Sequence, residues 1–264
     1  MMKNMSKCQP DSKTSCVLAR FTQFFAALLI LVPFPHILQA QKINSIKPER
    51  YFSVELPAPR SITFDTRLKR FYLTGDRGRV YCYNQQWGLI RNSEREGSDY
   101  QAICIHDKVL YVRDAGAQKI IAYDGGTLLP QYSFELPPTV RSTPSGSGLT
   151  WNPVRNCFVA TSIAQVNRAI LAEFNADFRQ IQEHRLSITS LSDLSWFDGA
   201  LWGYAAEGRI LYRLHPETYS VTGSWRVKAK NLRSFCFDKE GNLLMLRGDK
   251  PLVYEFRLPR APVK

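Results

Sequence analysis

Five triplets decide the fold: Ile62-Thr63-Phe64, Ile103-Cys104-Ile105, Leu149-Thr150-Trp151, Leu194-Ser195-Trp196 and Phe235-Cys236-Phe237. Each holds one small residue between two large ones. Their first residues are separated by 41, 46, 45 and 41 positions, so the triplets recur with a single period. A regular period of about 45 residues marks a repeat architecture.

Reading outward, each triplet is followed by turn formers, at 65–69, 106–108, 152–156, 198–199 and 238–241. A second apolar run comes next, at 71–74, 109–112, 157–161, 201–204 and 243–246. After a short polar loop a third run follows, at 80–83, 120–123, 170–174, 210–214 and 252–256. The first four repeats add a fourth run, at 89–93, 131–136, 180–186 and 221–227. The runs are rich in β-branched and aromatic residues and are bounded by Asp, Asn and Gly, which reads as strands. No segment sustains a helical period. Four short antiparallel strands per repeat describe a propeller blade. The pattern predicts an all-β, five-bladed β-propeller spanning residues 41–264. A sixth blade, the alternative count, needs about 40 more residues.

The last repeat lacks its fourth run. A spare strand, 51–56, stands before the first repeat, and its Val54-Glu55-Leu56-Pro57 echoes Phe134-Glu135-Leu136-Pro137 at the close of the second. The spare strand is therefore expected to complete the last blade, which closes the ring and covers two sheet edges.

The first forty residues read as an address. Lys3, Lys7, Lys13 and Arg20 face a single acid, Asp11, ahead of an apolar run at 21–32. Leu38-Gln39-Ala40 ends the segment. This is the pattern of a secretory signal peptide, with cleavage expected near Ala40. The apolar run is shorter than the roughly 20 residues a membrane helix needs. An uncleaved anchor is the alternative, and no membrane span is expected after cleavage. The expected location is secreted or periplasmic.

The 264-residue chain carries 35 Lys and Arg against 23 acids, a formal charge of +12, with 44% hydrophobic residues. That apolar fraction excludes a disordered or fibrous chain. Beyond the leader, 31 basic and 22 acidic residues remain, a net +9 over 224 residues. The charges are scattered, without a block of five basic residues, so a solvated basic surface fits better than a nucleic-acid site. A monomer is expected.

Cys82, Cys104, Cys157 and Cys236 remain after the leader, with no C-x-x-C pair, so neither a zinc nor a redox motif is supported. Cys104 and Cys236 read as small fillers near the axis, with Cys82 and Cys157 buried on other strands. A Cys82–Cys104 disulfide is an open alternative. Histidines 36, 106, 184 and 215 lack metal-ligand spacing. Ser145-Gly146-Ser147-Gly148 fails the nucleophile-elbow pattern, because Leu149 takes the final glycine position.

In a propeller, the loops entering the innermost strands share a face with the loops joining the second and third strands. That face is expected to collect Arg60, Asp99, Asp193 and Arg233 from the first set. The second set adds Asp76, Arg77, Arg113, Glu207 and Arg247. Arginine forks suit carboxylates and phosphates. No cofactor is expected, although Asp76, Asp99, Asp193, Glu207 and Asp249 could converge on calcium from several blades.

The stretch Ser147-Gly148-Leu149-Thr150-Trp151-Asn152-Pro153, with Asn156-Cys157-Phe158-Val159-Ala160-Thr161-Ser162 after it, resembles the repeat of the SdiA-regulated family of exported propellers. It is also similar to phytase-like and gluconolactonase-like repeats. Ser192-Asp193-Leu194-Ser195-Trp196 resembles another repeat entry, but Leu194 and Ser195 replace the Glu-Gly that often follows the acid there. The resemblance implies an exported propeller. Lactonase-like relatives imply a metal held near the channel by acids and an asparagine, a set that the resemblance does not place residue by residue in this sequence. The expected function is a binding module for an anionic small molecule, a glycan or a cell-envelope protein. The alternative is a divalent-metal-dependent hydrolase at the same channel mouth. A purely structural role would use exposed aromatics, for which Trp87 and Tyr219 are the candidates.

Overall fold

The computed structural model describes residues 43–75, 78–94, 97–137, 140, 147–163 and 168–259. The leader expected at 1–40, together with Asp76, Arg77 and the Ser145-Gly146 pair, lies outside these residues. Two short strands, β1 (Asn44–Ile46) and β2 (Arg50–Ser53), come first. The first blade is β3 (Ser61–Asp65), β4 (Arg70–Thr74), β5 (Val80–Tyr83) and β6 (Leu89–Asn92). The second is β7 (Tyr100–His106), β8 (Val109–Asp114), β9 (Lys119–Asp124) and β10 (Pro130–Glu135). The third is β11 (Leu149–Asn152), β12 (Cys157–Ile163), β13 (Ala169–Phe174) and β14 (Gln180–Arg185). The fourth is β15 (Asp193–Phe197), β16 (Ala200–Ala205), β17 (Ile210–Leu214) and β18 (Val221–Val227). The fifth has β19 (Leu232–Phe237), β20 (Leu243–Arg247) and β21 (Leu252–Phe256).

The inner strands touch in the cyclic order β3, β7, β11, β15, β19 and back to β3, so five blades close a ring. Every triplet lies on an inner strand. The fifth blade is completed from the N-terminus: β2 pairs antiparallel with β21, Arg50 opposite Glu255 and Ser53 opposite Leu252. The closing strand is thus Arg50–Ser53, shorter and earlier than 51–56. Val54 and Leu56 beyond it are buried between the fifth and first blades. Strand β1 was not anticipated. It adds a fifth strand to the fourth blade, parallel to β18, and buries Ile46.

Five hydrophobic clusters each join two neighbouring blades. They arise because successive strand residues point to opposite faces. On β4, Phe71 and Leu73 enter the cluster shared with the fifth blade, while Tyr72 enters the one shared with the second. On β20, Leu243 and Met245 face the fourth blade, and Leu244 and Leu246 face the first. A middle strand covered on both faces must be apolar throughout, which explains its lack of alternation. Each such side chain contributes about 1.5–3 kcal/mol of burial. The outermost strands meet water, and β6 is exposed along its length.

The turn between third and fourth strands repeats an unusual device. Trp87, Leu128, Phe178 and Tyr219 all adopt positive φ, between 55° and 64°. Asn84, Asp124, Asn175 and His215 begin these turns, and their side chains accept turn amides. The left-handed backbone costs on the order of 1 kcal/mol per residue. It lets each bulky side chain fold back between blades. Tyr219 and Phe178 are buried, and Trp87 stacks on Phe71 at 4.3 Å. Trp87 and Tyr219 therefore do not form an exposed aromatic patch.

Candidate functional site

The five small triplet residues surround the axis. Thr63, Cys104, Thr150, Ser195 and Cys236 line one cavity of about 960 Å³, a volume within the range of small-molecule sites. Cys104 and Cys236 are buried in the cores between blades, as expected of small fillers, and with the other three they also form the wall of a cup. The cup opens on the face of the hairpins joining first and second strands, opposite the face read from sequence as the binding face.

Its wall is aromatic. Phe64, Trp151, Trp196, Phe197 and Phe237 contribute to it, and His106 stacks on Trp151 with ring centres 3.7 Å apart. Burial favours the neutral His106 imidazole and holds its pKa below the usual value, against the opposing pull of Asp107.

The rim carries three cations and three acids: Arg67, Lys108 and Lys239, with Asp65, Asp107 and Asp238. The acids differ in availability. Asp65 Oδ1 accepts the Arg67 and Leu68 amides, and Arg67 Nη2 lies 3.7 Å from its other oxygen. Asp238 Oδ1 accepts the Glu240 and Asn242 amides, and its Oδ2 accepts Asn242 Nδ2. Asp238 is thus absorbed in building its turn, Asp65 gives its turn one oxygen and keeps the other buried without a hydrogen bond, and Asp107 stands in solvent. Lys239 lies 3.2 Å from Glu240, and Lys108 has no ion pair among the described residues.

Behind the cup, two residues earlier on each inner strand, come Ser61, Ala102, Gly148, Asp193 and Ser234. A chain of hydrogen bonds ties these strands. Ile103 N donates to Ser61 Oγ at 3.2 Å, and the Ser61 and Ser234 hydroxyls are 3.1 Å apart. Ser234 Oγ donates to Asp193 Oδ2, which also accepts the Phe235 amide at 2.9 Å. Burial pushes the Asp193 carboxyl up to about 7, though Ser234 and the amides resist the shift. Gly148 is needed here, because a Cβ would come within 2.6 Å of the Leu194 amide nitrogen.

The residues expected from sequence gather at the far end of the strands. Register places them there: Ser61 pairs with Thr74, Tyr100 with Asp114, Asp193 with Tyr204 and Leu232 with Arg247. Arg60, Asp99 and Arg233 lie beside one another near the axis, where Arg233 Nη2 donates to Gln101 Oε1 at 2.9 Å. Gln101 in turn donates to Asp99 Oδ1. Arg247 instead forms a fork onto Asp249, with Nε 2.7 Å from Oδ1, and Asn231 holds the same carboxylate. Glu207 is exposed on the β16–β17 turn. Arg113 is fully buried, donating to the Thr161 carbonyl at 2.7 Å and the Val140 carbonyl at 3.3 Å. Burial alone lowers its guanidinium pKa to about 10. Arg113 therefore serves the joint between second and third blades, with its Nε buried and without a hydrogen-bond partner. Ser147 is also buried.

All four described cysteines are free and buried, and the Cys82–Cys104 disulfide does not form. Burial raises the thiols of Cys104 and Cys236 well above the usual range, which keeps them protonated. Among the described residues, no three His, Cys, Asp or Glu side chains converge as metal ligands.

No family model matches the sequence, and no curated protein matches it. Among solved structures the chain is similar to the glutaminyl cyclase of Myxococcus xanthus, with a TM-score of 0.64 at 13% identity. The match covers 82% of this chain and 98% of that one. At that identity the likeness carries the fold and not the activity. The repeat resemblance noted in the sequence reduces to the same architecture: the protein is a five-bladed β-propeller with an aromatic cup on its axis.

Proposed function

We propose that the protein is an exported ligand-binding propeller whose site is the axial cup. The observation that carries this reading is the pairing of a ready-made 960 Å³ aromatic cavity with a rim that bears Arg67, Lys108 and Lys239. Aromatic faces take a flat apolar body by stacking and burial. Arg67, Lys108 and Lys239 favour a ligand that also bears an anionic group. The chemical class is therefore a small anionic molecule with a flat apolar face. Anilinonaphthalene sulfonate is a suitable probe of that class. A fluorescence titration should show one saturable site, weakened about tenfold or more by Trp196→Ala and by Lys108→Ala together with Arg67→Ala. Unsaturable binding, or binding indifferent to both variants, would defeat the reading.

A catalytic reading competes with it. Asp193, with its carboxyl near 7, is a proton donor or acceptor in the channel wall at neutral pH, and a structurally similar protein is a glutaminyl cyclase. In this reading the cup takes the end of a peptide and Asp193 exchanges protons through Ser234. Incubating the protein with a peptide that begins in glutamine and measuring ammonia release tests it. Release abolished by Asp193→Asn would favour the enzyme over the binding module. The divalent-metal hydrolase has weaker support, since Asp99, Asp193 and Asp249 each bind protein donors at separate places.

A further inference from the structure

We propose that the opposite mouth of the channel is a second, separate site, in which Arg60 and Arg233 grip the oxygens of a carboxylate or phosphate. The placement follows from the hydrogen bonds below it. Ser61 and Ser234 touch at 3.1 Å, and the Ile62 amide donates to Ser234 Oγ at 3.0 Å. The residues that precede these serines, Arg60 and Arg233, therefore leave neighbouring strands side by side. The Ile103–Ser61 bond brings in the second blade and with it Gln101.

Two guanidinium groups side by side repel, and desolvation strengthens the repulsion. Burial first, and the Arg60 charge second, hold the Arg233 guanidinium below its usual pKa. Among the described residues the acid that acts on Arg233 is Asp99, and one of its oxygens already accepts Gln101. Arg233 gives one bond to Gln101, and no acceptor among the described residues is recorded for the rest of its fork. Arg60 Nε is buried without an acceptor. An unmet buried donor on a charged group costs free energy until something accepts from it. A planar oxyanion does so in two-pronged fashion and cancels the repulsion in the same step. The layer of Ser61, Ala102, Gly148, Asp193 and Ser234 lies between this mouth and the cup, so the two sites are chemically distinct.

Calorimetry and thermal unfolding with inorganic phosphate, and separately with acetate, test the proposal against chloride at matched ionic strength. Saturable binding of either anion with a raised Tm is expected, and the arm that binds more tightly identifies the preferred group. Arg60→Gln and Arg233→Gln should each weaken it by about 10–100-fold, the loss of one charged hydrogen-bonded partner. In chloride alone both variants should be at least as stable as the parent, because the repulsion is relieved. Arg233→Lys keeps the charge and loses the fork, so it should also bind weakly, and it serves if a glutamine variant fails to fold. Trp196→Ala should leave anion binding unchanged. No saturable binding of either anion, or equal affinity in the Arg60→Gln, Arg233→Gln double variant, overturns the proposal.

Discussion

Asp193 on the fourth blade and Ser234 on the fifth are joined by a 2.5 Å hydrogen bond in the wall of the channel. The same serine hydroxyl accepts the Ile62 amide of the first blade. One side chain thus links three of the five inner strands across the seam where the ring closes. Ser234→Ala should lower unfolding free energy by about 1–3 kcal/mol, because it leaves buried partners unmet. Urea denaturation followed by tryptophan fluorescence measures this.

The Asp193 carboxyl has a definite pH signature. Its pKa is about 7 when folded and about 4 when unfolded. Between those values the folded state binds the extra proton, so stability falls as pH rises from about 4 to about 7 and then levels off. Asp193→Asn should flatten that interval. A parent-like slope in the variant would place the titration elsewhere.

Glu173 has the opposite sign. Burial works against its charge, but Arg155 Nη2 at 3.0 Å and the Tyr219 hydroxyl at 2.6 Å outweigh it and hold the carboxyl below its usual pKa. Its contribution is full above about 4.5 and is lost as pH falls further. Tyr219→Phe removes one of those bonds and should cost about 1 kcal/mol at neutral pH, with less at acid pH.

Removing residues 50–57 deletes β2 and the buried Val54 and Leu56, each worth about 1.5–3 kcal/mol. A steep drop in Tm is expected. Removing 43–47 takes only β1 and the buried Ile46, and its drop should be smaller. Equal effects, or no effect of the larger deletion, would contradict the pairing of β2 with β21.

Cys104 and Cys236 face the cup as protonated thiols. Iodoacetamide should label them slowly at neutral pH and rapidly once the chain is unfolded. A ligand seated in the cup should slow labelling further, which gives a binding assay by mass spectrometry. Fast labelling in the folded state would show that the thiols are not shielded.

EDTA should leave Tm and cup binding unchanged, because among the described residues no three metal-ligating side chains converge at either mouth. A chelator-sensitive Tm, restored by calcium, would raise the hydrolase reading above the binding one.

Much of the architecture was legible because the triplets record one physical demand five times: a small side chain at the axis with large ones on either side. The spare strand at 51–56 was legible from the missing fourth run. Strand β1 was not, since Asn44-Ser45-Ile46 is too short and too polar to show alternation. The packing turns at Trp87, Leu128, Phe178 and Tyr219 were hidden because their cue is a backbone angle, and a lone aromatic among turn formers looks exposed. The site was harder still. Loop charges point to the entry face, where Arg247 is taken up by Asp249 and Arg113 by carbonyls between blades. The cup depends on five residues far apart in sequence leaving a gap between them, and no local pattern encodes a gap.

The fifth blade is assembled from both ends of the sequence, with Arg50 bonded to Glu255 across 205 positions. As the chain is made, β2 has no partner until β21, the last of the described strands, emerges. No shorter nascent chain can acquire the full ring, however many blades it contains. Closing so long a loop slows folding relative to a chain of local contacts. The same late step means that truncation before β21 leaves one face of each terminal blade bare, which is expected to destabilise a four-bladed fragment.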